Sequence, residues 1–141
     1  MKIKNIEIKN RFMRSATWEA MATENGASTP QLIDHIEKLT EGGVGLIISS
    51  HAYVRQDGQA HFRQLGIHRD EFIDGLKKLT DTVHSLDGKI VMQITHAGFF
   101  ADPTLTGSVS LAPSNVEGLS ESPREEMTKE NIHEIITTRR A

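Results

Sequence analysis

Three short polar clusters mark where chemistry could gather: Ser15-Ala16-Thr17-Trp18-Glu19, Ser49-Ser50-His51 and Gln93-Ile94-Thr95-His96-Ala97-Gly98. Each follows an apolar stretch that reads as a strand. Capping a sheet and satisfying backbone groups would explain any one of them, but three in one chain weaken that explanation. Gln93 is the most telling residue, because it stands among Ile90, Val91 and Ile94, where an apolar side chain is expected. A buried amide must find partners. Its carbonyl beside its NH₂ matches the acceptor and donor edge of a planar heterocycle, and a hydrogen bond to a neighbouring strand would satisfy it equally well.

Other chemistries lack their residues. The glycines at 42, 43 and 45 precede a strand, whereas a phosphate-cradling loop must follow one and open a helix. No Gly-x-Ser-x-Gly elbow and no His-Glu-x-x-His pair occurs. His51, His61, His68 and His96 could meet only in three dimensions, so solvated or core histidines are expected and no metal site. The absence of cysteine removes disulfides, thiolate ligands and cysteine nucleophiles.

The elements that must position these clusters follow from periodicity. Ile3, Ile6 and Ile8 alternate with polar residues and predict a short strand pair. Arg11 to Ala16 reads as the first core strand. Thr29 and Pro30 open a helix with Leu32, Ile33, Ile36 and Leu39 on its apolar face, closed by Gly42 and Gly43. Val44 to Ile48 is a continuous apolar run suited to a parallel strand buried on both faces. Asp70 is expected to cap a second helix carrying Phe72, Ile73, Leu76, Leu79, Val83 and Leu86, which Asp87 and Gly88 end. Lys89 to Thr95 is the third strand. The polar stretch from Asp102 to Glu126 reads as a long functional loop, and Thr128 begins a third helix with Ile132, Ile135 and Ile136 as its stripe. Arg139-Arg140-Ala141 brings no glycine cap and no further strand, so the sequence reads as one partial domain over 1–141, cut before its sheet is complete. Alternating strands and helices predict β-α-β crossovers and a parallel sheet, whose ligands gather at the carboxyl ends of the strands.

Composition sets the outer bounds. The chain has 141 residues, 37% of them hydrophobic and 25% charged, enough for one modest core. A net charge of −3 gives no basic field for nucleic acid or an anionic membrane. No apolar run approaches the roughly 20 residues that span a bilayer, and Met1-Lys2-Ile3-Lys4-Asn5 lacks a signal-peptide core. A cytoplasmic protein is the expectation.

The run Lys9-Asn10-Arg11-Phe12-Met13-Arg14-Ser15-Ala16-Thr17-Trp18-Glu19, followed by Glu24-Asn25-Gly26 and Thr29-Pro30, resembles the opening of the Old Yellow Enzyme family of NADH:flavin oxidoreductases. Glu41-Gly42-Gly43-Val44-Gly45-Leu46-Ile47-Ile48 resembles the family's second strand, and Gln93 with His96-Ala97-Gly98 its third. The order and separation of these pieces cover essentially the whole chain.

The resemblance implies the N-terminal part of a (β/α)₈ TIM barrel, an opening hairpin and about three β/α units, with FMN at its mouth. NADH or NADPH would give hydride to the flavin, which would pass it to an activated alkene or enone. By position, Ala16, Thr17 and Trp18 would lie against the flavin from the first strand, Ser50 and His51 from the second, and Gln93 would bind the pyrimidine edge from the third. Trp18 departs from the small cysteine or threonine of many relatives, and Phe99 from an arginine after His-Ala-Gly. The family's substrate-anchoring pair, proton-donating tyrosine and phosphate site are expected beyond residue 141. Exposed strand edges would drive a partial barrel to homo-oligomerise. A half-barrel module without turnover and an independent flavodoxin-like domain are the competing readings.

Overall fold

The structure, a computed structural model, describes residues 1–114 and 123–138. The chain opens with an antiparallel hairpin of β1 (Lys2–Ile3) and β2 (Ile6–Glu7), turned by Lys4 at φ 48°. A parallel sheet follows in the order β3-β4-β5, formed by Met13–Arg14, Leu46–Tyr53 and Ile90–Thr95. Helix α1 (Pro30–Glu41) connects the first pair and α2 (Ile73–Ser85) the second. Beyond β5 come α3 (Pro103–Thr106), the parallel pair β6 (Ser110–Ala112) and β7 (Arg124–Glu126), and α4 (Lys129–Thr138).

Local chemistry sets most boundaries. The Thr29 hydroxyl accepts from the Leu32 N–H at 3.2 Å and Pro30 takes the first helical position, as the sequence indicates. Thr128 and Asn131 exchange side-chain and backbone hydrogen bonds at 2.9 and 3.2 Å, which fixes the start of α4. Gly88 is needed where α2 turns into β5, because a Cβ there would lie 2.5 Å from Thr40 Cγ2 and 2.7 Å from Val83 Cγ1. The core lies between the helices and one face of the sheet. Leu32, Ile33 and Ile36 of α1 and Leu79 and Val83 of α2 pack with Ile47 and Ala52 of β4, and Ile90 and Met92 of β5 close against them.

Five sequence expectations change. The first strand shrinks to Met13–Arg14, because Arg14 donates to Thr17 Oγ1 at 2.8 Å and to Glu19 Oε1 at 3.1 Å and curls the following residues off the ladder. The second starts later and runs farther, to Tyr53, so Ser49, Ser50 and His51 lie inside the strand and not after it. Asp70 does not cap α2. It opens a tight 3₁₀ turn, Asp70–Phe72, that drives Phe72 into the core at 2% exposure, while Ile73 of the expected apolar face is 57% exposed. The stretch from Asp102 to Glu126 holds α3, started by Asp102 accepting from the Thr104 N–H at 2.8 Å, and the strands β6 and β7; its residues 115–122 lie outside the described residues. In α4 only Ile135 is buried, with Ile132 and Ile136 at 44% and 47% exposure, and the Arg139-Arg140-Ala141 end lies outside the described residues.

Candidate functional site

The site is built by one extra residue in β4. Ile47 pairs with Ile90 and Ile48 with Val91, but the next partner of Gln93 is His51, so three steps along β4 match two along β5. That bulge inverts the alternation of side chains. With an unbroken ladder His51 would fall on the helix-packed side that holds Ile47. With the bulge it shares the opposite side with Gln93 and Val91. The inserted pair, Ser49 and Ser50, is buried at 3% and 5% exposure, and Ser49 Oγ donates to the Ser50 carbonyl at 2.9 Å.

Gln93 is exposed, contrary to the buried amide expected from its apolar neighbours. β5 is the edge of the three-stranded sheet, and on the side where Gln93 stands Val91 is also 37% exposed. Among the described residues the Gln93 side chain has no hydrogen-bond partner. His51 beside it is half-buried, and burial, followed by the charge of His61, holds its imidazole below the ordinary value of 6.5. A neutral imidazole and an unengaged amide therefore stand side by side on an open face.

The segment after the first strand approaches the same face. Ala16 is half-buried, and Thr17 is exposed and engaged by Arg14. Trp18, 42% exposed, stacks its ring on His61 at 4.5 Å between centroids and 25° between planes. His61 in turn meets His51 edge-on at 5.6 Å. Behind Trp18, Glu19 pairs with Arg14 and is 6% exposed. Trp18, His61, His51 and Gln93 thus form a continuous row.

Sequence reasoning missed the loop that completes this row. Gln64 is fully buried, accepts from the Ala60 and His61 N–H groups at 2.8 and 3.1 Å, and donates to the His51 carbonyl at 3.1 Å. One amide therefore ties the loop carrying His61 to the bulged strand. His61 was visible only as one histidine of several, since its partners lie 10 and 43 residues away in sequence.

His96-Ala97-Gly98 serves the frame. The His96 side chain is 6% exposed, its Nδ1 accepts from the Gly98 N–H at 3.0 Å, and its Nε2 lies 3.4 Å from Asp57 Oδ1. Gly58 permits this, since a Cβ there would lie 2.6 Å from the His96 ring. Among the described residues no group of histidines, aspartates and glutamates could hold a metal ion, and no helix is long and apolar enough to cross a membrane.

Residues 1–140 match the family model described as NADH:flavin oxidoreductase / NADH oxidase, and the chain belongs to that family. It is 37% identical over 139 residues to an NADH oxidase of Thermoanaerobacter brockii, a match covering 96% of this chain and 21% of the relative. It is 34% identical over 135 residues to an NADH:acrylate oxidoreductase of Vibrio harveyi, covering 93% of this chain and 13% of that protein. Among solved structures, Old Yellow Enzyme from a Pichia species superposes with a TM-score of 0.91 at 25% identity, over 98% of this chain and 39% of the other. The fold is thus the N-terminal part of an Old Yellow Enzyme type TIM barrel, with its sheet open. The chain spans less than two-fifths of the length of each of these proteins.

Proposed function

We propose that residues 1–141 are one partial-barrel unit whose open sheet face holds the pyrimidine end of FMN, within an NAD(P)H:flavin oxidoreductase that reduces an activated alkene or enone. The observation that carries the reading is the bulge, which sets the neutral His51 imidazole beside the unengaged Gln93 amide on the face away from the helices. The donor set fits the group. Gln93 offers an acceptor and two donors in one plane, the complement of the alternating carbonyl and N–H edge of a flavin pyrimidine. Ala16 and Thr17 would contribute backbone groups, Trp18 a ring face, Ser50 the support of the bulge, and His51 a hydrogen bond beside the amide. When bound, FMN would supply hydride acceptance and donation, with NADH or NADPH as the source, and the protein would supply orientation and the polar surroundings. The relative named for acrylate supports an activated alkene as acceptor.

The test is retention of flavin absorbance after gel filtration of the 141-residue chain mixed with FMN. Gln93→Leu is expected to lose most of the retained flavin while the far-ultraviolet dichroism stays unchanged. Equal retention by both proteins would remove Gln93 from the site.

Unpaired strand edges and scattered exposed apolar side chains support self-association. β3 and β5 are both edge strands, and Val91, Ile94, Ile132 and Ile136 are between 37% and 47% exposed. We propose that the 141-residue chain forms homo-oligomers through these surfaces. Sedimentation as a monomer at high concentration would overturn this.

A further inference from the structure

We infer that Asn25 is a site of spontaneous modification: the fold activates the Asn25–Gly26 pair toward deamidation, and the isoaspartate that results unpins the loop carrying His61 and Gln64. Asn25 is exposed in a turn and glycine follows it, whereas Asn5, Asn10, Asn115 and Asn131 precede Ile6, Arg11, Val116 and Ile132. A side chain on the following residue crowds attack of its backbone nitrogen on the asparagine amide carbon, and glycine has none. The fold itself demands that glycine. Gly26 is at φ 96°, and a Cβ on it would lie 2.6 Å from Tyr53 Oη.

Neighbours polarise both reacting groups. Tyr53 Oη donates to the Asn25 carbonyl at 3.0 Å. That carbonyl shares a peptide unit with the Gly26 N–H, so the bond draws charge from the nitrogen and makes its proton easier to lose. The Tyr53 ring is buried against His68, and burial holds its hydroxyl above the ordinary tyrosine value, so it stays protonated as a donor. The Thr23 hydroxyl donates to Asn25 Oδ1, where negative charge grows as the amide carbon is attacked. The one brake is the bond from the Gly26 N–H to the Thr23 carbonyl at 3.1 Å. In the reaction the Gly26 nitrogen bonds to Asn25 Cγ and passes its proton, through water, to the side-chain nitrogen, which leaves as ammonia. Water then opens the cyclic imide. Opening at the main-chain carbonyl carbon leaves a free carboxylate there and routes the backbone through Cγ, so one water enters and one ammonia departs. The backbone grows by one carbon, about 1.5 Å. That moves the Gly26 carbonyl, which accepts from the Gly66 N–H at 2.9 Å and so anchors the chain just after Gln64.

The experiment incubates the 141-residue chain at mildly alkaline pH and follows each asparagine by peptide mass mapping. Asn25 is expected to deamidate about three- to tenfold faster in the chain than in a synthetic peptide of residues 21–29, the effect of one or two ordinary hydrogen bonds. Tyr53→Phe and Thr23→Val, each checked for unchanged far-ultraviolet dichroism, should slow the reaction about threefold. A chain no faster than the peptide, or a folded variant of either kind as fast as the parent, would overturn the activation. The isoaspartate form, separated by its added charge, should exchange the Gly66 N–H about tenfold faster than the unmodified chain. Asn25→Asp adds the charge without the carbon and should leave that exchange unchanged. Unaltered exchange at Gly66 in the isoaspartate form, or equally fast exchange in Asn25→Asp, would overturn the unpinning.

Discussion

The two sides of the central sheet are built from neighbouring residues of the same strands and have opposite characters. The side facing α1 and α2 is closed, with Ile47, Ala52, Leu79 and Val83 all at 2% exposure or less. The other side carries an exposed amide, a half-buried imidazole and an exposed indole. The first side is specified by local periodicity and holds the fold. The second depends on one extra strand residue and on contacts between distant segments, and it holds the candidate site. Stability and function should therefore be separable by mutation across the thickness of a single sheet.

The largest effect should come from the closed side. Leu79→Ala is expected to destabilise the chain by about 2–5 kcal/mol, measured by urea unfolding, because it empties a packed position between two helices and the sheet. A loss below about 1 kcal/mol would mean that this side is not the core. Gln64→Leu should come next, at about 2–3 kcal/mol, since it orphans the Ala60 and His61 N–H groups and the His51 carbonyl. It should also release the Trp18 indole, visible as a fluorescence red shift, and an unshifted spectrum would show that the loop is held some other way.

Acid should loosen the region where the histidines sit. His51 and His68 both bind protons more weakly than the ordinary 6.5, chiefly through burial and then through the nearby charges of His61 and Arg69 respectively. The unfolded chain then carries more protons than the folded one below that value, so unfolding free energy is highest above it and falls as pH drops through the lowered folded values. In His68→Phe, whose ring can still pack against Tyr53 and Phe72, the pH slope should flatten. An unchanged slope would assign the acid sensitivity elsewhere. The smallest stability effect belongs to the open side: Gln93→Leu should change unfolding free energy by no more than about 0.5 kcal/mol. A larger change would mean that the amide serves the fold.

This division also explains what could be read in the sequence. The hairpin, α1, α2 and the three parallel strands are visible because their apolar residues recur at helix or strand period and their ends carry local signals such as Thr29-Pro30 and Asp87-Gly88. The family and its partial barrel were legible from the order of the pieces. The bulge was not, because a register shift is a property of two strands, and nothing in Ile48-Ser49-Ser50-His51 alone says which residue will face Val91 or Gln93. Gln93 was taken as buried from its apolar neighbours, but burial depends on what covers the edge strand. His61 and Gln64 act through contacts across 10 to 43 residues, which periodicity does not encode.

The most direct test follows the glutamine side-chain NH₂ resonances as FMN is added to the isotope-labelled chain. Gln56, Gln59 and Gln64 are already bonded to protein groups and serve as internal references. A saturable shift at Gln93, with those three nearly still, is the expected result. A still Gln93, or equal movement of all four, would contradict the assignment of the open face as the flavin site.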